Sequence, residues 1–415
     1  MAATLSRSAT SCALGPVGTT SVRRAASTAP LPAKTRGALA LRNGANGLTG
    51  KALTSCPAKT SDSRSAMISK AVVSGFFNKS DNSKTKNKTV ILTGASSGLG
   101  LATLKSLMTQ GGHHVVCGVR DVEKMQTIVD GLGYPREAIS IYQLELKSLD
   151  SVKAFVKKFR GSGRTLDVLC CNAAIYLPNQ PKPTFAEYGF EESMAVNHLS
   201  HFLLINLMIR DLQKSKEPRC VIVGSITGNT NTVGGGAVAP HANLGNLQGL
   251  ATKAVMADGH DYNGAKAYKD SKLANMMTML ELHRRYHEKT GIVFSSMYPG
   301  CIAETALFRQ KRGWFRSFFP IFMKYVTGGY VSEDEAGDRL AAVITSPEAN
   351  KSGVYWSWNG GARSTGWYNP AKGQVVGAGG AGGEMFENVP SAEVRNPRKA
   401  KKLWELSEKA VGLAN

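Results

Sequence analysis

The chain has 415 residues and a formal net charge of +21, enough for one large or two modest domains at ~100–200 residues each. The charge is uneven: residues 1–88 hold 14 Lys and Arg against only Asp62 and Asp81, and the remainder mixes both signs. That distribution excludes a dedicated polyanion-binding module, and nucleic acid with it. Seven cysteines lack paired spacing or a CxxC, which excludes a disulfide framework and a structural zinc, so no metal site is expected.

Residues 1–61 contain no Asp or Glu and are rich in Ala, Ser, Thr and Gly with scattered arginines such as Arg7, Arg23 and Arg24. No apolar run suits a secretory signal. Residues 1–75 are therefore expected to be an organelle transit peptide with a polar lead-in. The Ser/Thr bias, without a strong Arg-rich amphipathic helix, favours a plastid. From Thr89 onward short apolar runs alternate with helical patterns, as in a parallel sheet covered by helices. Strands are expected at Thr89–Leu92, His114–Val119, Ile139–Leu144, Val168–Cys170, Cys220–Gly224, Ile292–Met297 and Gly353–Trp356. Helices are expected near Leu99–Gln110, Asp121–Asp130, Ser148–Arg160, Phe190–Leu212 and Gly264–His287, with a basic amphipathic helix at Pro397–Leu413. The fold class is thus α/β, a single doubly wound, Rossmann-like domain over residues 88–415. No stretch reaches the ~18–20 apolar residues that span a bilayer, and Gly377–Gly383 reads as a flexible interruption.

The turn Gly94-Ala95-Ser96-Ser97-Gly98-Leu99-Gly100 follows a β-branched strand and opens a helix. Glycines there permit close approach of backbone to a pyrophosphate, and the helix N-terminus stabilises its charge. At the end of the second strand, where a ribose is read, stands Arg120. An arginine can fork onto a 2′-phosphate, so NADPH is favoured over NADH. Asp121 then reads as the N-cap of the next helix.

Tyr268 and Lys272 lie four apart on one helical face. A lysine one turn from a phenol stabilises the phenolate, lowers its pKa and can steady a nicotinamide ribose. Taken alone, this spacing also fits an exposed helix pair. It gains meaning from Asn172 ending the fourth strand, Asn197 in the following helix and Ser225 ending the fifth.

Together, TGxxxGxG, the Asn172-Ala173-Ala174 turn, Asn197, Ser225 and YxxxK resemble the short-chain dehydrogenase/reductase family. That resemblance implies that Asn172 borders the cofactor, Asn197 and Ser225 complete the active site, and Pro299-Gly300 lies beside the nicotinamide. Ser225 and Tyr268 are 43 residues apart, more than in ordinary members. The extra stretch 229–262 is expected beside the active site, as a lid-like excursion or a solvated loop. With Gly264–Lys272, Tyr298–Ala303, Val221–Thr230, Phe308-Arg309 and Ser352–Trp358, the chain looks like the light-dependent, protochlorophyllide-reducing branch.

The branch implies light-driven hydride transfer from NADPH to the ring D double bond, in a chloroplast, peripheral to internal membranes. Tyr268 is then the proton donor. Cys301 is a competing donor, a group positioning the pigment or a small core residue, and Tyr298 binds a pigment carboxylate. The aromatic stretch Trp314–Phe322, within an expected lid over 306–330, suits a substrate lid, self-association or peripheral membrane contact. Two other readings stay open: a light-independent carbonyl or retinol reductase, and a pigment-binding scaffold without turnover.

Overall fold

The computed structural model describes residues 88–236, 238–302, 329–360 and 379–414, with two short strands at Tyr368–Asn369 and Gln374–Val375. The expected transit segment and nearly all of 306–330, including Phe308 and Trp314–Phe322, lie outside the described residues.

Seven strands run parallel: β1 (Lys88–Thr93), β2 (His113–Val119), β3 (Ile139–Gln143), β4 (Val168–Cys171), β5 (Arg219–Val223), β6 (Val293–Met297) and β7 (Val354–Trp358). An eighth, β8 (Met385–Asn388), closes one edge antiparallel to β7, giving the order β8-β7-β6-β5-β4-β1-β2-β3. The order reverses between β1 and β4, and a crevice opens there at the carboxyl ends of the strands. All seven expected strands are present. β8, only four residues long, was not expected.

Alternation along each strand sends side chains to two separate cores. Val90 and Leu92 of β1 face one side and Ile91 the other; Cys170 and Cys171 divide the same way. The first core is covered by α1 (Gly98–Gln110), α2 (Val122–Leu132) and α6 (Glu333–Thr345). The second lies under α3 (Leu149–Gly161), α4 (192–212), α5 (Gly264–Leu282) and α7 (Pro397–Ala410). Caps set the starts: Asp121 accepts from the amide of Lys124 at 2.9 Å, as expected, and Ser148, Asn263 and Asn396 cap α3, α5 and α7. α6 was missed, although Ser332-x-x-Glu335 has the spacing of a capping box and Ser332 caps it.

The stretch 229–262 lies against the helix of Tyr268 and Lys272: Lys269 donates to the Val238 carbonyl at 2.6 Å and the Asn243 amide donates to Asp270 at 2.9 Å. Its described residues line no part of the cavity described below. Instead Leu244, Leu247 and Leu250 are buried in the second core. Asn229 and Asn231 donate to the Val389 carbonyl, and the Leu244 amide donates to Glu393. Its leucines supply the apolar surface, and its asparagines satisfy the backbone of the C-terminal segment. Gly379–Gly383 is also more than a flexible interruption: the Gly380 and Gly382 carbonyls and the Gly382 amide are all hydrogen-bonded.

Candidate active site

At the β1–β4 crevice the first turn of α1 starts at Ser97, whose extended backbone carries no side-chain cap hydrogen bond, so its amides face the crevice. Gly94 enables the approach: its φ is +72°, and a Cβ there would meet Ala173 at 2.9 Å. Asn172 fixes the turn from β4, donating through Nδ2 to the Thr93 carbonyl at 2.8 Å. Thr93, the threonine of TGxxxGxG, accepts through Oγ1 from the amides of Asn172 and Ala173, both at 2.9 Å, and bonds His201 Nε2 at 3.0 Å. Burial lowers the pKa of His201 to about 4, so it is neutral. Its Nδ1 faces the Asn197 carbonyl at 3.2 Å. That carbonyl can only accept, so Nδ1 carries the proton and Nε2 accepts from Thr93.

Every candidate residue except Asn197 lines one cavity of about 490 Å³, within the ~300–1,000 Å³ usual for ligand sites. Gly94, Ser96, Ser97, Gly98, Leu99 and Gly100 form one end, with Arg120 at its rim. Ser225, Tyr268, Lys272, Tyr298 and Cys301 form the other, with Asn172, Pro299 and Gly300 along the walls. Lys124, one turn into α2, joins Arg120 there. The sequence reading overlooked it, although its spacing from Arg120 places it on the same rim. Tyr176, also overlooked, packs tilted against the Tyr268 ring, with centroids 4.8 Å apart and planes at 54°.

Asn197 stands one layer back, in the π-turn Ala195–Leu199 that interrupts α4. Its side chain accepts from the Ile175 amide at 2.8 Å and donates to Ser271 Oγ at 3.0 Å. It therefore joins the wall after β4 to the helix bearing Tyr268 and Lys272.

Burial raises the pKa of Tyr268; a hydrogen bond with Ser225 opposes this, and neighbouring Tyr176 and Cys301 add to the rise. The expected lowering by Lys272 is not what dominates. Lys272 Nζ is 5.8 Å from the phenol ring centroid and donates to the Val223 carbonyl at 2.8 Å. The ammonium points to the end of β5, and burial lowers its own pKa to about 8. Burial likewise pushes Cys301 up to about 12, far from an ordinary thiol. Tyr268 and Cys301, like Tyr176 and Tyr298 on the same lining, thus keep their protons at neutral pH. In that state none of them is a base that could abstract a proton.

The residues present fit a dinucleotide: uncapped amides and a glycine approach at one end, paired cations at the rim, and a proton donor beside a lysine at the other. Such a sheet with such a site defines a nicotinamide-dependent oxidoreductase of the short-chain dehydrogenase class. The family model described as short chain dehydrogenase matches residues 88–238. A protochlorophyllide reductase of Cucumis sativus is 53% identical over 342 residues, covering 80% of each chain. Protochlorophyllide reductase A of Arabidopsis thaliana is 51% identical over 343 residues, 80% of this chain and 79% of that one. The Chlamydomonas reinhardtii enzyme is 51% identical over 335 residues, 79% of each. This chain belongs to the protochlorophyllide reductase family. A solved structure of an uncharacterized protein from Mycobacterium paratuberculosis shares the fold, at TM-score 0.54 and 23% identity over 79% of this chain and 94% of that one.

Proposed function

We propose that the protein reduces the ring D double bond of protochlorophyllide to chlorophyllide in the chloroplast, driven by light and with NADPH as reductant. The observation that carries this reading is that one cavity holds the glycine turn at one end and Ser225, Tyr268, Lys272 and Cys301 at the other. Membership of the family supplies the pigment. NADPH rather than NADH is supported by Arg120 and Lys124 on the rim, because two cations suit a 2′-phosphate.

When bound, the nicotinamide supplies the hydride. The chain does the rest. Amides at the start of α1 hold a pyrophosphate, and Asn172 keeps the turn in place. Tyr268 keeps its proton until the pigment carbon beside the reduced position needs it, and Ser225 fixes the direction of the phenol O–H. Lys272, tied to the Val223 carbonyl, places its cation beside the phenol and the cofactor end. Cys301 stands as a second donor or as a wall against the macrocycle, and Tyr298 beside it as a hydrogen-bonding group for the pigment.

Purified protein mixed with NADPH and protochlorophyllide tests this. A red shift of the pigment absorption after a flash, and none in darkness, is expected. Reduction in darkness would overturn the reading in favour of an ordinary carbonyl or retinol reductase; binding without conversion would leave a scaffold. Residues 1–75 are proposed as the transit peptide, checked by import into isolated plastids and shortening of the chain. Peripheral membrane contact and self-association are proposed for the Trp314–Phe322 stretch. Vesicle flotation and light scattering of a Trp314→Ser/Phe318→Ser variant test them, and unchanged behaviour would remove both.

A further inference from the structure

Arg339 of α6 is a buried guanidinium, 4% exposed, far from the sequence motifs. Its Nη1 donates to the Pro299 carbonyl at 2.9 Å, and the two hydrogens of its Nη2 are shared among Glu335 at 2.7 Å and the carbonyls of Gly380 at 2.8 Å and Gly382 at 2.9 Å. Its plane lies 5.2 Å from the Trp358 ring centroid. Glu335 turns its carboxylate both to Arg339 and to the Gly382 amide, at 2.7 Å. One ion pair therefore holds two chain segments, the cavity wall at Pro299 and the glycine run before β8.

Pro299 sits between Tyr298 and the Gly300-Cys301 step. Gly300 has φ +112°, and a Cβ there would meet Val331 at 2.4 Å and the Arg339 guanidinium at 2.9 Å. On the far side Cys301 pairs with Tyr330, and its carbonyl accepts from the Val331 amide at 3.1 Å. The Tyr298–Cys301 segment is thus pinned at two places: by Arg339 through Pro299 and by Val331 through Cys301. Between the pins the backbone is set by a glycine, which by itself fixes nothing.

We propose that Arg339, oriented by Glu335, is a positioning residue that sets where Tyr298 and Cys301 stand in the cavity, with Gly380 and Gly382 as the counterpart that keeps its guanidinium in place. The guanidinium then has a definite use: its two terminal nitrogens span the Pro299 carbonyl on one side and the Gly380 and Gly382 carbonyls on the other, a reach that a single ammonium lacks. Because this rests on the reading of the cavity as the pigment site, the test includes a readout that needs no pigment.

That readout is the rate at which a maleimide alkylates Cys301, followed by peptide mapping, in wild type, Arg339→Met, Arg339→Lys and Glu335→Gln. Alongside it, the absorption maximum of bound protochlorophyllide and the kcat and KM after flashes are measured. Expected are a several-fold change in the Cys301 alkylation rate, a shifted pigment band, and a loss of about tenfold or more in kcat, as displacement of a reacting group by a fraction of an ångström produces. Arg339→Lys should not restore these values, since one ammonium that keeps Glu335 and the glycine carbonyls gives up the Pro299 carbonyl. Glu335→Gln keeps the guanidinium and decides alone if Arg339→Met does not fold. A wild-type alkylation rate, band and kcat in folded Glu335→Gln and, where it folds, Arg339→Met overturn the proposal. Altered alkylation together with a wild type that never reduces the pigment would keep the positioning role and discard the proposed substrate.

Discussion

Tyr268 and Lys272 meet as their spacing requires, yet their electrostatics run opposite to the simplest reading of that spacing. Sequence gives the i, i+4 relation and hence the shared face; it does not give the burial that raises the phenol and lowers the lysine. Tyr268→Phe removes the donor while keeping the ring against Tyr176. Flash-induced product should fall by roughly 10²-fold or more, with the NADPH dissociation constant within about threefold of wild type. If the product yield is unchanged, the proton comes from Cys301 or water. Lys272 has a consequence for stability. Its pKa moves from 10.5 to about 8 on folding, so between those values the unfolded chain binds the extra proton and stability rises with pH. Below pH 8 the buried charge costs roughly 3 kcal/mol, at 1.36 kcal/mol per unit. Lys272→Met relieves that cost and leaves the Val223 carbonyl unpaired, an opposing ~1–2 kcal/mol. Urea denaturation should find this inactive variant at least as stable as wild type at pH 7, with a flatter rise toward pH 10. Asn197 makes the complementary point: its identity was legible, but its position one layer behind the cavity depends on a π-turn that no pattern of apolar residues announces.

Among elements, the seven parallel strands were legible because β-branched runs buried on both faces leave a strong signal. β8 and α6 were not. Four residues following glycines carry little pattern, and α6 begins with three acids that mask its apolar face, Leu340, Ala341, Val343 and Ile344. The rim cations belong to this scale too, since the β2–α2 junction presents both. Replacing Arg120 and Lys124 together by Ala should weaken NADPH binding by about tenfold per lost charge-assisted contact and leave NADH binding nearly unchanged. Fluorescence titration with the two nucleotides separates these outcomes, and equal losses would assign the rim a general rather than a phosphate-reading role. The 229–262 stretch behaves as core rather than lid. Leu247→Ala, at a fully buried position, should cost about 2–5 kcal/mol and leave the KM for pigment unchanged in whatever fraction folds.

For the whole molecule, two cores on either side of one sheet hold the crevice open from both faces. The chain from Lys79 onward forms its own compact unit. Removing residues 1–78 should leave the thermal midpoint and the flash yield per folded molecule unchanged; a drop in either would give those residues a part in the mature fold. α7 covers α5 with Trp404, which is 1% exposed and lies 4.7 Å from Phe202 and 4.5 Å from the Arg285 guanidinium. Trp404→Ala should cost roughly 3–5 kcal/mol, measured by urea denaturation, although no atom of it borders the cavity.

The position of that tryptophan in the chain also sets a timetable. The helix bearing Tyr268 and Lys272 is made well before the helix that roofs it, and a chain threaded through a membrane from its N-terminus delivers them in the same sequence. Until that last helix arrives, the core shared by Met276, Met279 and Leu282 lacks Leu403 and Trp404. A chain stalled before that helix would present an unroofed apolar core to its surroundings, a state that folding helpers or proteases can recognise before any ligand is bound.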